Sequence, residues 1–351
     1  MNVRLIVLLL LAMAAPALAQ GFAGLGNDPQ GFAMPERGKE LVFPRDHGAH
    51  PAYRIEWWYL TANLTGADGT DYGAQWTLFR SALKPEEKPG WQSPQLWMGH
   101  AALTTAEKHY SAERLARGGI GQAGVALSPF VAEIDDWRMA SRAPPGSDEL
   151  SALDVSASGQ GFSYRLKLDA TGPLVLQGDR GYSVKSDKGQ ASYYYSQPFY
   201  RVSGTIIIEG REVEVTGQAW FDHEWSSQPL SPDQTGWDWF SFHFDSGDKL
   251  MGFRLRDSGP GFTSATWIGG DGIPEPQPPG ALAVEPLDWE NIDGRKVPVR
   301  WRVALPSKGL DVTTRAFNPN AWMDTQVSYW EGPVRIEGSH PGRGYVEMTG
   351  Y

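Results

Sequence analysis

The stretch FSYRLKL at residues 162–168 decides the fold class, because apolar and polar residues alternate along it one by one. A strand projects successive side chains to opposite faces of a sheet, so this alternation is typical of a strand with one buried face. It recurs at residues 213–216, 240–245 and 297–303, and turn signals such as Ala67-Asp68-Gly69 separate the extended runs. The chain is therefore predicted to be all-β, as a sandwich or a barrel.

Helices are expected to be few and short. No amphipathic pattern of 12 or more residues stands out, and residues 111–117 are the best short helical candidate. The 41 glycines and 26 prolines of the chain favour many tight turns instead.

Composition excludes several classes of function. The 351 residues include 31 Lys+Arg against 41 Asp+Glu, a formal charge of -10, which argues against a nucleic-acid partner because phosphates attract basic clusters. The chain has no cysteine, so it has no disulfide, no thiolate metal site, no iron–sulfur cluster and no cysteine nucleophile. Neither a cofactor nor a metal ion is predicted.

The first residues of the chain are typical of an export signal. Arg4 is followed by an unbroken apolar run and then by Ala17-Leu18-Ala19, the small residues that a signal peptidase recognises. We predict a signal at residues 1–19, a loose Gly- and Pro-rich arm at 20–40, and a periplasmic or secreted mature protein. No later stretch is apolar and long enough to span a membrane.

Two domains are predicted, an N-terminal one at residues 41–225 and a C-terminal one at residues 226–351. The boundary falls where a strand runs into SSQPLSP at residues 226–232.

The first candidate site is EWWY at residues 56–59. In a strand, Glu56 and Trp58 share one face while Trp57 and Tyr59 share the other. A carboxyl group among large aromatics is partly desolvated, which raises its pKa and favours a neutral acid. The alternative is a structural glutamate held by backbone N–H groups or an arginine inside a packed barrel.

The second candidate site is WFDHEW at residues 220–225. His223 and Trp225 point to one face of the strand, and Asp222 and Glu224 point to the other. Adjacent Asp, His and Glu therefore do not place three ligands on one side, which argues against a metal site here. An ion-pair cluster that closes the first domain is the structural alternative.

The third candidate site is WDW at residues 237–239. Trp237, Trp239 and His243 lie on one face, whereas Asp238 lies on the apolar face that continues into residues 240–244. A carboxylate on an apolar face must be ion-paired or neutral, so Asp238 is either a structural salt bridge or a proton donor in a dry site.

Two further histidines, His47 and His50, sit in a polar loop before the EWWY strand. These two histidines either approach the site around Glu56 or are exposed to solvent, and both alternatives are compatible with the sequence.

Five motifs follow one another along the chain: HPAYRIEWWYL at 50–60, AWFDHEWSS at 219–227, GWDWF at 236–240, YWEG at 329–332 and GYVEMTGY at 344–351. Together they resemble the AttH/carotenoid 1,2-hydratase (hydroxyneurosporene synthase-like) family, whose members are often described as lipocalin-like secreted hydrolases. The resemblance extends from about Phe43 to Tyr351. It implies two consecutive lipocalin-like antiparallel barrels with a hydrophobic site near their junction.

The resemblance also implies a chemistry. Similar proteins add water across a terminal double bond of acyclic carotenoids, and a His-x-Trp pair with a nearby acid is implicated there. His223 and Trp225 match that pair, while Asp222 and Asp238 are both candidates for the acid. The expected ligand is accordingly a hydrophobic terpenoid or lipid, and a hydratase is favoured over a hydrolase, for which no catalytic triad is recognisable.

The chemistry of alkene hydration fits the candidate residues. A buried carboxyl group, Asp222 or Asp238, would protonate the alkene, and Glu56 is a further candidate acid. Indole faces would stabilise the cation, and His223 would act as base for the incoming water. These groups are expected to meet in one water-poor chamber. The aromatic residues expected to bind substrate are Trp57, Trp58, Tyr59, Trp225, Trp237 and Trp239.

The alternative to a hydratase is a ligand-binding protein that catalyses no reaction. Lipocalin-like barrels hold apolar ligands, so an exported member could carry a lipid for an ABC-type membrane transporter. The same tryptophans would then only line the cavity.

Overall fold

A computed structural model describes residues 22–351, so the predicted signal at residues 1–19 lies outside the described residues. The described chain forms two curled antiparallel sheets of the lipocalin-like type, one a nearly closed barrel and the other a half-barrel. This confirms the predicted all-β class. The short helical elements described are single 3₁₀ turns at Phe22–Gly24, Arg45–His47, Gly90–Gln92 and Pro306–Lys308.

The first sheet, which we call the N-terminal barrel, contains 13 strands. They are β1 (Ile55–Gly66), β2 (Asp71–Ala82), β3 (Gln95–Thr104), β4 (His109–Arg117), β5 (Ala123–Leu127), β6 (Phe130–Ile134), β7 (Trp137–Ser141), β8 (Ala152–Gly159), β9 (Phe162–Ala170), β10 (Val175–Leu176), β11 (Tyr182–Val184), β12 (Ala191–Ile208) and β13 (Arg211–Ser226). Their order is β4-β3-β2-β1-β13-β12-β9-β8-β7-β6-β5, with β10 and β11 paired to β12. The long strands β1, β12 and β13 therefore lie side by side at its centre.

The second sheet, the C-terminal half-barrel, contains ten strands. They are β14 (Gly236–Phe244), β15 (Lys249–Arg256), β16 (Phe262–Ile268), β17 (Pro274–Pro276), β18 (Ala283–Ile292), β19 (Arg295–Leu305), β20 (Leu310–Ala316), β21 (Trp322–Met323), β22 (Tyr329–Gly338) and β23 (Gly342–Thr349). Their order is β17-β16-β15-β14-β23-β22-β20-β19-β18, with β21 paired to β22. The chain passes from the first sheet to the second between Ser226 and Gly236.

Residues 111–117 are extended and not helical, since they lie in β4. That strand pairs with β3 from Leu96 opposite Arg117 to Thr104 opposite His109. The ladder of hydrogen bonds to β3 outweighs the weak local preference for helix.

Strand β1 and residues 219–226 of β13 are buried on both faces, and this places the candidate residues. One face of the pair packs inside the N-terminal barrel with Trp58, Phe221 and Trp225. The other face packs against β14 and β15 in a separate apolar cluster that includes Tyr59 and Trp239. Tyr59 and Trp239 therefore contribute apolar aromatic contact between the two sheets.

The described part of the N-terminal arm is fixed to the protein and is not loose. Nη2 of Arg54 donates to the Leu25 carbonyl at 3.2 Å, and Nε2 of Gln228 donates to the Gly26 carbonyl at 2.9 Å. Over residues 22–351, we find no helix with the length and apolarity that crossing a membrane would require.

Candidate functional site between the sheets

A cavity of about 110 Å³ lies where the two sheets face each other. Aromatic side chains form much of its wall, among them Trp57, Tyr59, Trp237 and Trp239. Three carboxyl groups also face it: Asp222, Glu224 and Glu347. The wall of the cavity is therefore mostly apolar and is interrupted by three carboxyl groups.

Asp222 lies on β13 and accepts hydrogen bonds at both of its oxygens. Oδ2 accepts from the Tyr194 hydroxyl at 2.8 Å, and Oδ1 accepts from Ser196 at 2.5 Å and from the Trp220 indole at 2.7 Å. Burial raises the pKa of Asp222 to about 7 even though these three donors lower it. The donors are arranged to stabilise the carboxylate form.

Glu347 lies on β23 and has fewer donors. The indole of Trp237 donates to its Oε1 at 2.5 Å. Burial, with the nearby charges of Asp222 and Glu224, raises the pKa of Glu347 to about 7, although the hydrogen bonds from Trp237 and Tyr59 act to lower it. A substantial fraction of this side chain is thus a neutral acid at neutral pH.

A second buried acid, Glu331, stands directly opposite Glu347 in the β22–β23 pair. The Tyr59 hydroxyl donates to its Oε1 at 2.5 Å, while Oε2 has no hydrogen-bond partner among the described residues. Burial, with the charge of Glu347, raises the pKa of Glu331 well above its usual range. Like charges facing each other across a strand pair repel, so an ionised Glu347 favours the neutral form of Glu331.

Glu224, the third acid of the cavity, is neutralised by a lysine. Lys185 Nζ lies 2.7 Å from its Oε1, both side chains are more than nine-tenths buried, and Ser192 donates to the same oxygen at 2.5 Å. The Lys185 ammonium also lies 4.3 Å from the ring centroid of Phe253. A buried ion pair of this kind brings positive charge to the wall of the cavity.

Glu56 and His223 lie on the other side of β1 and β13, inside the N-terminal barrel. Nε2 of His223 is 2.8 Å from Oε1 of Glu56, and Trp58 stacks on the His223 ring with centroids 4.6 Å apart. Burial lowers the pKa of His223 to about 4. The predicted contact of His223 with the cavity is therefore wrong, because alternation along β13 turns it away from Asp222.

Glu56 does not have the raised pKa expected of a carboxyl group among aromatics. Burial acts in that direction, but His50, Arg80 and His223 together hold the pKa of Glu56 well below its usual range. Arg80 Nε donates to its Oε2 at 2.8 Å, and the backbone N–H of His50 donates to the same oxygen at 2.8 Å. This is the structural alternative that the sequence left open.

Asp238 is an ion-paired residue of the C-terminal half-barrel. Nε of Arg254 lies 2.9 Å from its Oδ2, Nη1 of Arg256 lies 2.5 Å from its Oδ1, and the Tyr351 hydroxyl donates to Oδ1 at 2.8 Å. Asp222, His223 and Asp238 thus occupy three separate environments, which corrects the expectation that they meet in one chamber.

The aromatic candidates divide in the same way. Trp57, Tyr59, Trp237 and Trp239 line the cavity. Trp58 and Trp225 belong to the core of the N-terminal barrel. Alternation along each strand predicted which residues share a face, but it did not predict which interior space each face lines.

Glu347, Lys185 and Glu224 also line the cavity, although none of them is among the site residues predicted from the sequence. Glu347 lies in the closing motif at residues 344–351 between Val346 and Met348, so a carboxyl group flanked by apolar residues in a strand was the available signal. Lys185 lies next to the short strand β11, and no local pattern marks it.

Comparisons with known proteins agree with this architecture. A model described as AttH-like matches residues 34–351. A putative AttH from Nitrosomonas europaea is 32% identical with a TM-score of 0.80, over 91% of this chain and 100% of that chain. No curated protein matches this chain.

Two more distant structures share the fold. Kievitone hydratase from Nectria haematococca is 16% identical, with a TM-score of 0.65 over 91% of this chain and 98% of that chain. CghA, solved with Sch210972, is 13% identical, with a TM-score of 0.55 over 92% and 97%. With the family model matched over residues 34–351 and a solved AttH structure covered in full, this chain belongs to the AttH-like family.

Proposed function

We propose that this protein is a hydratase that adds water to a carbon–carbon double bond of a hydrophobic terpenoid or lipid. The observation that carries the proposal is the cavity between the sheets, where Glu347 and Asp222 face an indole-lined wall. At roughly 30 Å³ per water molecule, its 110 Å³ would hold about four waters. The cavity would therefore accept the reacting end of a hydrocarbon substrate, and the rest of that substrate would extend out of the cavity.

Glu347 is the proton donor in this mechanism. Its pKa of about 7 keeps a useful fraction protonated at neutral pH, and the carboxyl proton passes to one carbon of the double bond. Trp57, Trp237 and Trp239 offer indole faces to the resulting carbocation, at about 0.5–2 kcal/mol for each well-placed ring.

Asp222 is the base. Its oxygens accept three hydrogen bonds, which favour the carboxylate, and it faces the same cavity. Water attacks the carbocation, and the proton that this water releases goes to Asp222. One water is consumed, one C–H and one C–O bond form, and a proton returns from Asp222 to Glu347 between turnovers.

The test is incubation of the purified protein with a panel of acyclic prenyl alcohols and carotenoids in H₂¹⁸O. Mass spectrometry would detect a product heavier by one labelled water. We expect Glu347→Gln and Asp222→Asn to lower turnover by 10²-fold or more, in line with the ~10²–10⁴-fold effect of general acid–base groups. Asp154→Asn, at an exposed position of β8, is the control that keeps full turnover.

A carrier that delivers a lipid to a membrane transporter is the competing function. A ligand retained through purification, with no labelled product from any substrate of the panel, would favour that function over the hydratase. Turnover that survives in both Glu347→Gln and Asp222→Asn would remove the two residues from the mechanism.

A further inference from the structure

The cavity between the sheets is open on the side of strands β1 and β2. Its deep lining residues, such as Asp222 and Trp239, are buried. Ile55, Trp57 and Phe79 line the same cavity but are partly exposed to solvent. A ligand whose reacting end is held at the buried acids can therefore leave the cavity past these three side chains.

The pairing of the strands continues this opening as a row of apolar side chains. Trp57 stands opposite Phe79 in the β1–β2 pair, and Phe79 stands opposite Met98 in the β2–β3 pair. Met98 in turn stands opposite Leu115 in the β3–β4 pair. Because residues directly opposite each other in antiparallel strands project from the same face, these four side chains form one line across the sheet. We call it the apolar row.

The apolar row is long and accessible. Neighbouring strands lie about 4.8 Å apart, so the row extends about 14 Å from Trp57 to Leu115. Phe79 and Met98 are partly exposed, and Leu115 is 47% exposed. Leu96, two residues before Met98 on the same face, is 39% exposed and widens the row near its outer end.

Both borders of the apolar row are polar, and one of them is covered. On one side lie His100 and Glu113, which residues of the C-terminal half-barrel contact. The Tyr329 hydroxyl is 3.0 Å from Nδ1 of His100, and the Gln326 backbone N–H donates to Oε1 of Glu113 at 3.1 Å. On the other side the β2 strand continues with Ser81 on this face. A narrow apolar floor beside a wall suits a single extended chain better than the flat surface of a bilayer.

We propose that the apolar row binds the extended hydrocarbon tail of the ligand whose reacting end lies in the cavity. This inference rests on the hydrophobic ligand of the proposed function. The cavity of about 110 Å³ has room for the reacting end only. Trp57 and Phe79 belong to both the cavity wall and the row, so a tail that leaves the cavity stays on apolar surface. An exposed apolar surface of this kind marks a binding groove.

The length of the apolar row selects the class of ligand. An isoprenoid unit extends about 5 Å, since it has four backbone bonds of about 1.5 Å each in a zigzag. A row of about 14 Å therefore holds about three units beyond the one in the cavity. The site fits a linear chain, and a compact ring system would leave most of the row uncovered.

The first experiment measures binding, so it does not depend on turnover. Equilibrium dialysis of the purified protein against linear prenyl alcohols of two, three, four and five isoprenoid units gives a Kd for each. We expect Kd to fall roughly 5-fold per unit up to the fourth, because each unit would bury about 40 Å² of apolar surface. The fifth unit lies beyond β4 and should change Kd little.

Substitutions at the outer end of the row test its position. Leu115→Ser and Leu96→Ser should each weaken binding of the four-unit alcohol by about 3–5-fold, through loss of apolar contact. The two-unit alcohol does not reach β4, so its Kd should stay at the wild-type value. Leu287→Ser is the matched control, because Leu287 is 37% exposed but lies on β18 of the C-terminal half-barrel. It should change neither Kd.

Photolabelling gives a second readout that needs no variant. A four-unit alcohol with a diazirine at its distal end is bound to the wild type and irradiated, and the modified peptides are identified by mass spectrometry. We expect the adducts on residues 95–117, which contain β3 and β4.

The outcomes separate the apolar row from the hydratase. Equal Kd values for the three- and four-unit alcohols, or adducts outside β3 and β4, overturn the row even where turnover is observed. Chain-length dependence that Leu115→Ser removes, without turnover of any alcohol, supports the row and counts against the hydratase. A protein that binds no prenyl alcohol overturns the row together with the ligand class. Vesicle binding that Leu115→Ser weakens at an unchanged Kd assigns the row to a membrane surface instead.

Discussion

Replacing Glu347 with glutamine should stabilise the fold above neutral pH while removing the proposed acid. The neutral amide keeps an oxygen that can accept the Trp237 N–H, which donates to Oε1 of Glu347 at 2.5 Å. It removes the cost of ionising a buried carboxyl group beside Glu331, its cross-strand neighbour.

The magnitude follows from the pKa of Glu347, which is about 7 in the fold against an ordinary value of 4.5. At 1.36 kcal/mol per pH unit, this difference corresponds to about 3 kcal/mol. Below pH 4.5 both the folded and the unfolded side chains are protonated, and the group costs nothing. As the pH rises from 4.5 to 7, the unfolded chain releases its proton while the folded chain retains it, so stability falls and then stays lower above pH 7.

The assay is urea unfolding of the wild type and Glu347→Gln at pH 4 and pH 8. We expect equal stability at pH 4 and a gain of about 2–3 kcal/mol for the variant at pH 8, with Asp154→Asn showing no such pH dependence. An equal effect at both pH values, or destabilisation at pH 8, would refute the assignment of Glu347 as a buried neutral acid.

Further predictions concern turnover, an ion pair and the N-terminus. Turnover should be highest near pH 7 in a pH–rate profile, falling above it because Glu347 must be protonated and below it because Asp222 must be ionised. Trp239→Leu should lower turnover roughly 10-fold through loss of about 1–2 kcal/mol of cation stabilisation, whereas Trp91→Leu, at a position 74% exposed, should not. Lys185→Met should cost about 3–5 kcal/mol in urea unfolding because Glu224 is left buried and unpaired, and adding Glu224→Gln should restore much of it. Intact mass of exported protein should correspond to a chain that begins at Gln20, after cleavage behind Ala19.

Alternation along single strands was sufficient to predict which candidate residues share a face. It placed Glu56 with Trp58 and His223 with Trp225, and the structure brings these two pairs together through the β1–β13 register. It did not indicate what each face meets, because both faces of β1 and of residues 219–226 in β13 are buried, and exposed polar residues mark neither face there.

The residues whose positions were not predicted correctly from the sequence are those placed by contacts between strands distant in the chain. Asp238 stands opposite Arg254 in the β14–β15 hairpin, so its ion pair depends on register across the turn at residues 246–248 and not on the WDW motif. Glu347 meets the wall of the cavity only after β23 has paired with β14 and β22. Neither of these strand pairings can be recognised from the periodicity of residues within a single segment of the sequence.

A partition one strand thick separates the interior of the N-terminal barrel from the cavity between the sheets, and neighbouring residues of β1 face different compartments. Trp57 looks into one compartment and Glu56 into the other. A single-residue insertion or deletion in this strand would exchange the two sets of side chains and disable both compartments at once. Substitutions that remodel the cavity for a new substrate are therefore more easily accommodated from β14, β15 and β23, which contribute no residue to the core of the N-terminal barrel.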